Sequence, residues 1–262
     1  MEYEQIAVED RDEIRVITLN RPEKLNAWTH RMSAELVHAF QTGNESSTIG
    51  GFVMTGAGRA FCAGADISEV FGSQLDDDEK DAGLADSTGD RVDWVNLMRT
   101  SKPVVAAING ASIGVGLTLT LSMDFLVAHP DAKLSARFVK MGVVPELASS
   151  HFLVQRCGWG GASDLALSGR IVLGTEAKEI GLVDELADDV VVAAIARARS
   201  YAENAPPSVQ FAKQLLTENG TETNLSAVQK RELKALNEAY RTPEHREAVA
   251  AFIEKREPKF RP

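Results

Sequence analysis

Two glycine-rich strings hold the residues best placed to do chemistry, Gly56-Ala57-Gly58-Arg59-Ala60-Phe61-Cys62-Ala63-Gly64-Ala65-Asp66 and Asn109-Gly110-Ala111-Ser112-Ile113-Gly114-Val115-Gly116. Each follows a short, continuous apolar run, residues 51–55 and 104–108, of the kind that buried strands show. Glycines in such places let the chain turn sharply and let a ligand approach main-chain N–H groups, which at a helix N-terminus are unpaired and partly positive. Two such groups from two loops, aimed at one point, would make an oxyanion hole. Tight packing of turn against helix would use the same glycines, so either string alone leaves both readings open. Neither string spells G-x-G-x-x-G or a phosphate loop ending in Gly-Lys-Ser/Thr, which excludes the usual dinucleotide and nucleoside triphosphate sites. The histidines at 30, 38, 129, 151 and 245 lack ligand spacing, and Cys62 has no His/Cys constellation around it. No metal site is expected, and Cys62 reads as a packed loop residue.

The elements that must position these strings alternate in type. Residues 13–19 read as a strand, 29–42 as an amphipathic helix beginning at Thr29, and the runs 51–55 and 104–108 as buried strands followed by helix-compatible segments. Weaker strands are expected at 125–128, 133–135 and 181–186, with helical patterns at 150–157 and 161–167 between them. That order is α/β. Residues 103–123 carry no charge and are long enough to span a bilayer, but Asn109-Gly110 and two further glycines break them into strand, turn and helix, and no membrane segment is expected. The acidic stretch 74–90 reads as a surface loop; its Asp77, Glu79 and Asp81 resemble a calcium loop, yet the turn glycine falls one place late and the bidentate glutamate is missing. Asn204-Ala205-Pro206-Pro207 introduces a helical final quarter, dividing the chain into 1–204 and 205–262. With 28 basic and 38 acidic residues the net charge is −10, which argues against a nucleic-acid partner. Two cysteines and a start without basic and apolar signal regions point to the cytoplasm.

The strings LNRPEKLNAW, GAGRAFCAGADI, KPVVAAINGASIGVG and GVVPELASS, in this order, resemble the crotonase superfamily, the enoyl-CoA hydratases and isomerases. The likeness runs from about residue 14 to 183. It implies an α/β fold of repeated ββα turns forming a spiral, followed by a helical region used in trimer assembly, the homotrimers often pairing into hexamers. It also implies an acyl-CoA thioester substrate and no cofactor beyond the coenzyme A that the substrate carries. The thioester oxygen would sit between the N–H groups of Ala65 and Val115, which would stabilise charge when the adjacent carbon loses or gains a proton.

The same resemblance locates the carboxylates. The two glutamates with which hydratases of the family hold water would fall at Thr118 and Phe138, and neither threonine nor phenylalanine can act as a base near neutral pH. Glu146 remains. By spacing alone it reads as a helix N-terminal glutamate beside Pro145; the P-E-x-x-S-S string resembles the Δ3,Δ2-enoyl-CoA isomerase branch, where an acidic residue just after the proline is the base. One carboxylate suffices for a 1,3-proton shift, and an apolar setting including Phe138 would raise its pKa. Coenzyme A would be lined by Lys24, Leu25 and Ala27 at the nucleotide end, with Lys24 as a phosphate contact, and by Ala63, Asp66 and Ile67 around the adenine. Asp66 also reads as the cap of a short helix. Lys259, Phe260 and Arg261 resemble tail residues that reach toward the nucleotide. Enoyl-CoA hydratase or another crotonase-type reaction on a CoA thioester, and a non-catalytic CoA-binding assembly subunit, remain the alternatives to an isomerase.

Overall fold

The computed structural model describes residues 1–67, 69 and 92–261. The acidic stretch 74–90, with its calcium-like spacing, lies outside them. From the third strand to the eighth, consecutive strands alternate between two sheets. The larger sheet takes β1 (Ile6–Arg11), β2 (Ile14–Leu19), β3 (Gly51–Gly56), β5 (Val104–Ile108), β7 (Phe125–Ala128) and β10 (Glu185–Leu186), adjacent in that order. The smaller takes β4 (Ala60–Cys62), β6 (Ala111–Ile113), β8 (Lys133–Ser135) and β9 (Val172–Leu173). β3 hands on to β4, β5 to β6 and β7 to β8, so each turn of the chain lays one strand in each sheet before crossing back. Pairing from β2 through β10 and from β4 through β8 is parallel, and only β1 and β9 run antiparallel to their neighbours. This is the expected ββα spiral.

The apolar runs explain the layering. β3 and β5 are buried along their whole length because both faces are covered, the condition under which a parallel strand loses its alternation. Helix α1 (His30–Glu45) covers one face with Met32, Leu36, Ala39 and Phe40, and starts where the Thr29 hydroxyl accepts the Met32 N–H. The expected strand at 181–186 shrinks to its last two residues, because residues 177–182 close the end of a helix and a turn: the Leu182 and Val183 N–H groups both donate to the Ala177 carbonyl. The uncharged stretch 103–123 becomes β5, β6 and helix α3 (Val115–Leu121), separated by helix α2 (Trp94–Thr100) from β4. Among the described residues no helix is long and apolar enough to cross a membrane. The helical patterns at 150–157 and 161–167 lie on one element, α4 (Ser149–Ser168), kinked where Gly158 adopts φ 66° and ψ 174°.

Helices α5 (Gly174–Glu179) and α6 (Val190–Ala202) close the two-sheet region, and α7 (Pro206–Asn219), α8 (Leu225–Ala239) and α9 (Pro243–Glu254) follow. α7 is fixed to the sheets by a buried cation: Lys213 Nζ stands 2.6 Å from the Asp124 carboxylate, which also accepts the Val104 N–H at the start of β5. Beyond that anchor the last helices bury little. α8 has no buried residue and α9 only Ala251, while Leu225, Phe252 and Ile253 are largely exposed.

Candidate active site

Three connections leave the C-terminal edge of the small sheet, where parallel α/β layers bind their ligands. The β4 connection carries Ala65, the β6 connection carries Val115, and the β8 connection carries Glu146. Adjacent parallel pairing of β4 with β6, and of β6 with β8, places the three exits side by side. The two glycine strings meet closely. A Cβ on Gly116 would stand 2.1 Å from the Cys62 carbonyl oxygen, and one on Gly64 would stand 3.6 Å from that of Ile113. Gly114 turns the chain into α3 with φ 56° and ψ −122°, a backbone that any side chain would strain, and its N–H donates to Ser135 at the end of β8. Val115 is therefore the first residue of α3, and its N–H has no helical partner. Among the described residues neither the Val115 nor the Ala65 N–H donates to a protein acceptor.

The Ala65 loop is held by groups that sequence reasoning missed. Asn26, fully buried, accepts the Arg21 N–H at 2.9 Å through its side chain and donates to the carbonyls of Ala57 (2.9 Å) and Ala60 (2.8 Å). Asn109 donates to Gly56 and Gly58, both at 2.9 Å, and accepts the Gly56 N–H. The two amides thus lock the β3–β4 turn from either side. Arg21 reaches the Ala27 carbonyl at 2.8 Å and the Asp66 carboxylate at 3.1 Å, an ion pair with both side chains mostly buried. The Trp28 N–H donates to Gly64 and the Asp66 N–H donates to Trp28, which fixes the residue between them, Ala65. Asp66 is thus an ion-pair partner of Arg21; the short helix it was expected to cap runs into residues outside the description. The only local signal for Asn109 was its place beside Gly110, and Asn26, with no glycine near it along the chain, had none.

Of the residues expected around coenzyme A, Leu25, Ala27, Ala63 and Asp66 come together: the Ala63 N–H donates to Leu25 at 3.1 Å, and Ala27 and Asp66 share Arg21. Lys24 is exposed on the turn beside them, and Ile67 is largely exposed. Lys259, Phe260 and Arg261 do not join this group within one chain. They line a cavity with Asp12, Glu13 and Ala202 at the opposite, N-terminal ends of β2 and β3. Cys62 is fully buried and burial pushes its thiol up to about 11, which makes it the inert packed residue expected.

Glu146 stands apart from any partner among the described residues. Its side chain is half-buried, makes no ion pair or hydrogen bond among the described residues, and burial raises its pKa from the ordinary carboxylate value. It precedes a turn in which Leu147 and Ala148 both have φ 53°, closed by the Ser149 N–H on the Glu146 carbonyl at 2.9 Å. Left-handed backbone costs a residue with a Cβ roughly 1–2 kcal/mol. Thr118 is buried, its hydroxyl turned back to the Val115 carbonyl at 3.3 Å, and Phe138 lies in the core cluster. Neither supplies a second carboxylate.

A spiral of two largely parallel sheets, whose neighbouring connections carry a carboxyl and two N–H groups without partners among the described residues, can serve chemistry at a carbonyl oxygen and its neighbouring carbon. The sequence profile of the enoyl-CoA hydratase/isomerase family matches residues 9–262, and the chain belongs to that family. It is 34% identical to a probable enoyl-CoA hydratase of Mycobacterium bovis, over 99% of each chain. It is 33% identical to the 1,2-epoxyphenylacetyl-CoA isomerase of Escherichia coli, over 94% of each. The crystal structure of an enoyl-CoA hydratase from a Polaromonas species superposes with a TM-score of 0.88 at 26% identity, covering 98% of this chain and 99% of that one. The protein is therefore an enzyme of the enoyl-CoA hydratase/isomerase type. The isomerase branch singled out from the P-E-x-x-S-S string is narrower than these relatives support, since they carry both names.

Proposed function

We propose that the protein is a Δ3,Δ2-enoyl-CoA isomerase in acyl-CoA catabolism. The observation that carries this reading is the Glu146 carboxyl, without a partner among the described residues and with its pKa raised by burial, on a connection that leaves the same sheet edge as those carrying two N–H groups likewise unpaired among the described residues. The thioester oxygen of a 3-enoyl-CoA accepts from Ala65 and Val115. The Glu146 carboxylate takes a proton from C2, and the electron pair of that C–H bond delocalises into the thioester, leaving a dienolate whose charge rests on the oxygen. The same carboxyl then returns its proton to C4, and the double bond stands between C2 and C3. Nothing is oxidised or reduced, and one group that both takes and gives the proton is enough. Two preorganised donors contribute a few kcal/mol each to such an intermediate, an order of magnitude of about 3 kcal/mol per donor.

The hydratase reading draws support from relatives that carry that name, and a CoA-binding subunit without turnover is the third. Incubation with 3-enoyl-CoA and 2-enoyl-CoA separately distinguishes them. Conversion of the first to the second supports the isomerase, a 3-hydroxyacyl product supports the hydratase, and tight binding alone supports the subunit. Glu146→Gln should lower isomerisation by roughly 10²–10⁴-fold while acyl-CoA affinity stays within a few-fold; an undiminished rate removes Glu146 from the mechanism. In the same reading, Lys24 meets a phosphate of coenzyme A, residues 1–204 form the acyl-CoA unit, and residues 205–262 join copies into a trimer or a pair of trimers in the cytoplasm. The exposed Leu225, Phe252 and Ile253 favour that assembly, and light scattering that returns a monomer would contradict it.

A further inference from the structure

The four residues from Glu146 to Ser149 depart from low-energy geometry three times. Leu147 and Ala148 are both left-handed, and the Ser149 hydroxyl is buried without a partner. A turn closed from residue four to residue one with both central φ positive has the mirror-image sense that Asn-Gly favours, and Leu-Ala is a poor choice for it. Strain of this kind persists only where the surroundings over-determine it. Here they do: the Leu147 side chain packs against the main core cluster, and the Ala148 carbonyl accepts the N–H groups of His151 and Phe152 in the first turn of α4.

We propose that Leu147 is a positioning residue for Glu146: its side chain, anchored in the core, forces the left-handed turn that fixes where the Glu146 carboxyl stands. This rests on the reading of Glu146 as the base. A carboxyl with no partner among the described residues has nothing at its own tip to orient it, so its backbone must do so. Holding a reacting group in one geometry is worth far more in turnover than in ground-state affinity.

The test replaces Leu147 with residues that accept the turn but lose the anchor. Leu147→Gly should lower kcat for 3-enoyl-CoA by at least about tenfold with KM within twofold, and Leu147→Met should restore kcat to within about threefold. Leu147→Asn, which also tolerates the left-handed backbone, serves if the glycine variant does not fold, with the same expectation. Ala148→Gly should raise the melting temperature by about 2 °C; a lowered value would show that the left-handed turn does not form in solution and would overturn the proposal. Wild-type kcat in Leu147→Gly or Leu147→Asn, or a loss confined to KM, would overturn it as well. Glu146→Gln is assayed alongside. If that variant is inactive while Leu147→Gly is fully active, only the positioning role fails; if it is active, the base assignment and the positioning role fail together.

Discussion

The loop that carries Ala65 and the loop that carries Glu146 leave the same edge of one small sheet but are held in different ways. Ala65 sits between two backbone hydrogen bonds, beneath a buried Arg21–Asp66 pair, on a turn whose carbonyls are taken up by Asn26 and Asn109. The carbonyls of Gly56, Ala57, Gly58 and Ala60 and the N–H groups of Trp28 and Asp66 all have partners, and the Ala65 N–H is left over among the described residues, as is the buried Trp28 indole N–H. Glu146 stands on backbone of poor intrinsic conformation, with its carboxyl unpaired among the described residues. An anion-stabilising donor must not move when charge develops, so redundancy suits it. A base must be willing to accept a proton, and any hydrogen bond to its charged form would lower its pKa and weaken it.

The firmest part of the rigid side is also where it breaks most sharply. Gly116→Ala places a methyl group against the Cys62 backbone, which cannot swing away as a side chain can. Displacing the two loops should cost about 100-fold or more in turnover, the effect of losing one oxyanion donor. Gly160→Ala, in open space on α4, should keep the wild-type rate and serves as the control. Asn26→Ala follows in size. It orphans the Arg21 N–H and the Ala57 carbonyl and leaves the Ala60 carbonyl only a long 3.4 Å bond from Asn109. A loss of about 3 kcal/mol in urea unfolding is expected, with turnover reduced because the Ala65 loop loosens. A loss below about 1 kcal/mol would mean that water replaces the amide and that the side is less rigid than drawn.

The contrast also separates what could be read in the sequence from what could not. The continuous apolar runs of β3 and β5, the glycine strings after them and the Thr29 cap are local signals, and they marked the α/β order; the spiral and the choice of the Ala65 and Val115 N–H groups came from the family resemblance alone. β4 and β6 are three residues each and β9 two, too short to show any period, while β8 fell where 133–135 was expected and β10 at the end of 181–186. The carbonyls that Asn26 caps lie 31 and 34 residues away and the partners of Asn109 up to 53, so no window along the chain contains them. Arg21 meets Asp66 across 45 residues, which is why their ion pair was not legible along the chain. The Leu147–Ala148 turn was hidden for the opposite reason. Leucine and alanine are among the best right-handed helix formers, and their local preference contradicts the backbone they adopt.

The base side is sharpened by pH. Because burial raises the Glu146 pKa and only its ionised form can take a proton, the rate at low substrate should climb tenfold per pH unit in acid and level off above a midpoint higher than the ordinary 4.5. A midpoint at or below that value would place the carboxyl in water or beside a cation.

The smallest effect is on stability, and its sign is the informative part. A carboxyl whose pKa is higher in the folded chain than in the unfolded one binds its proton more tightly when folded. Its stabilising contribution is complete below the unfolded value and is lost as pH rises through the folded one. Near neutrality the ionised Glu146 is therefore a liability of the fold, kept in a half-buried place without a partner. Glu146→Gln should melt about 2 °C higher than the parent at pH 7, and the gap should close as the solution is acidified toward the unfolded carboxylate pKa. The variant that loses the most activity would then be the more stable protein, as expected of a group kept for chemistry rather than for folding. A gap that widens on acidification would show that the native carboxylate is stabilised by contacts, and the distinction between the two sides would vanish.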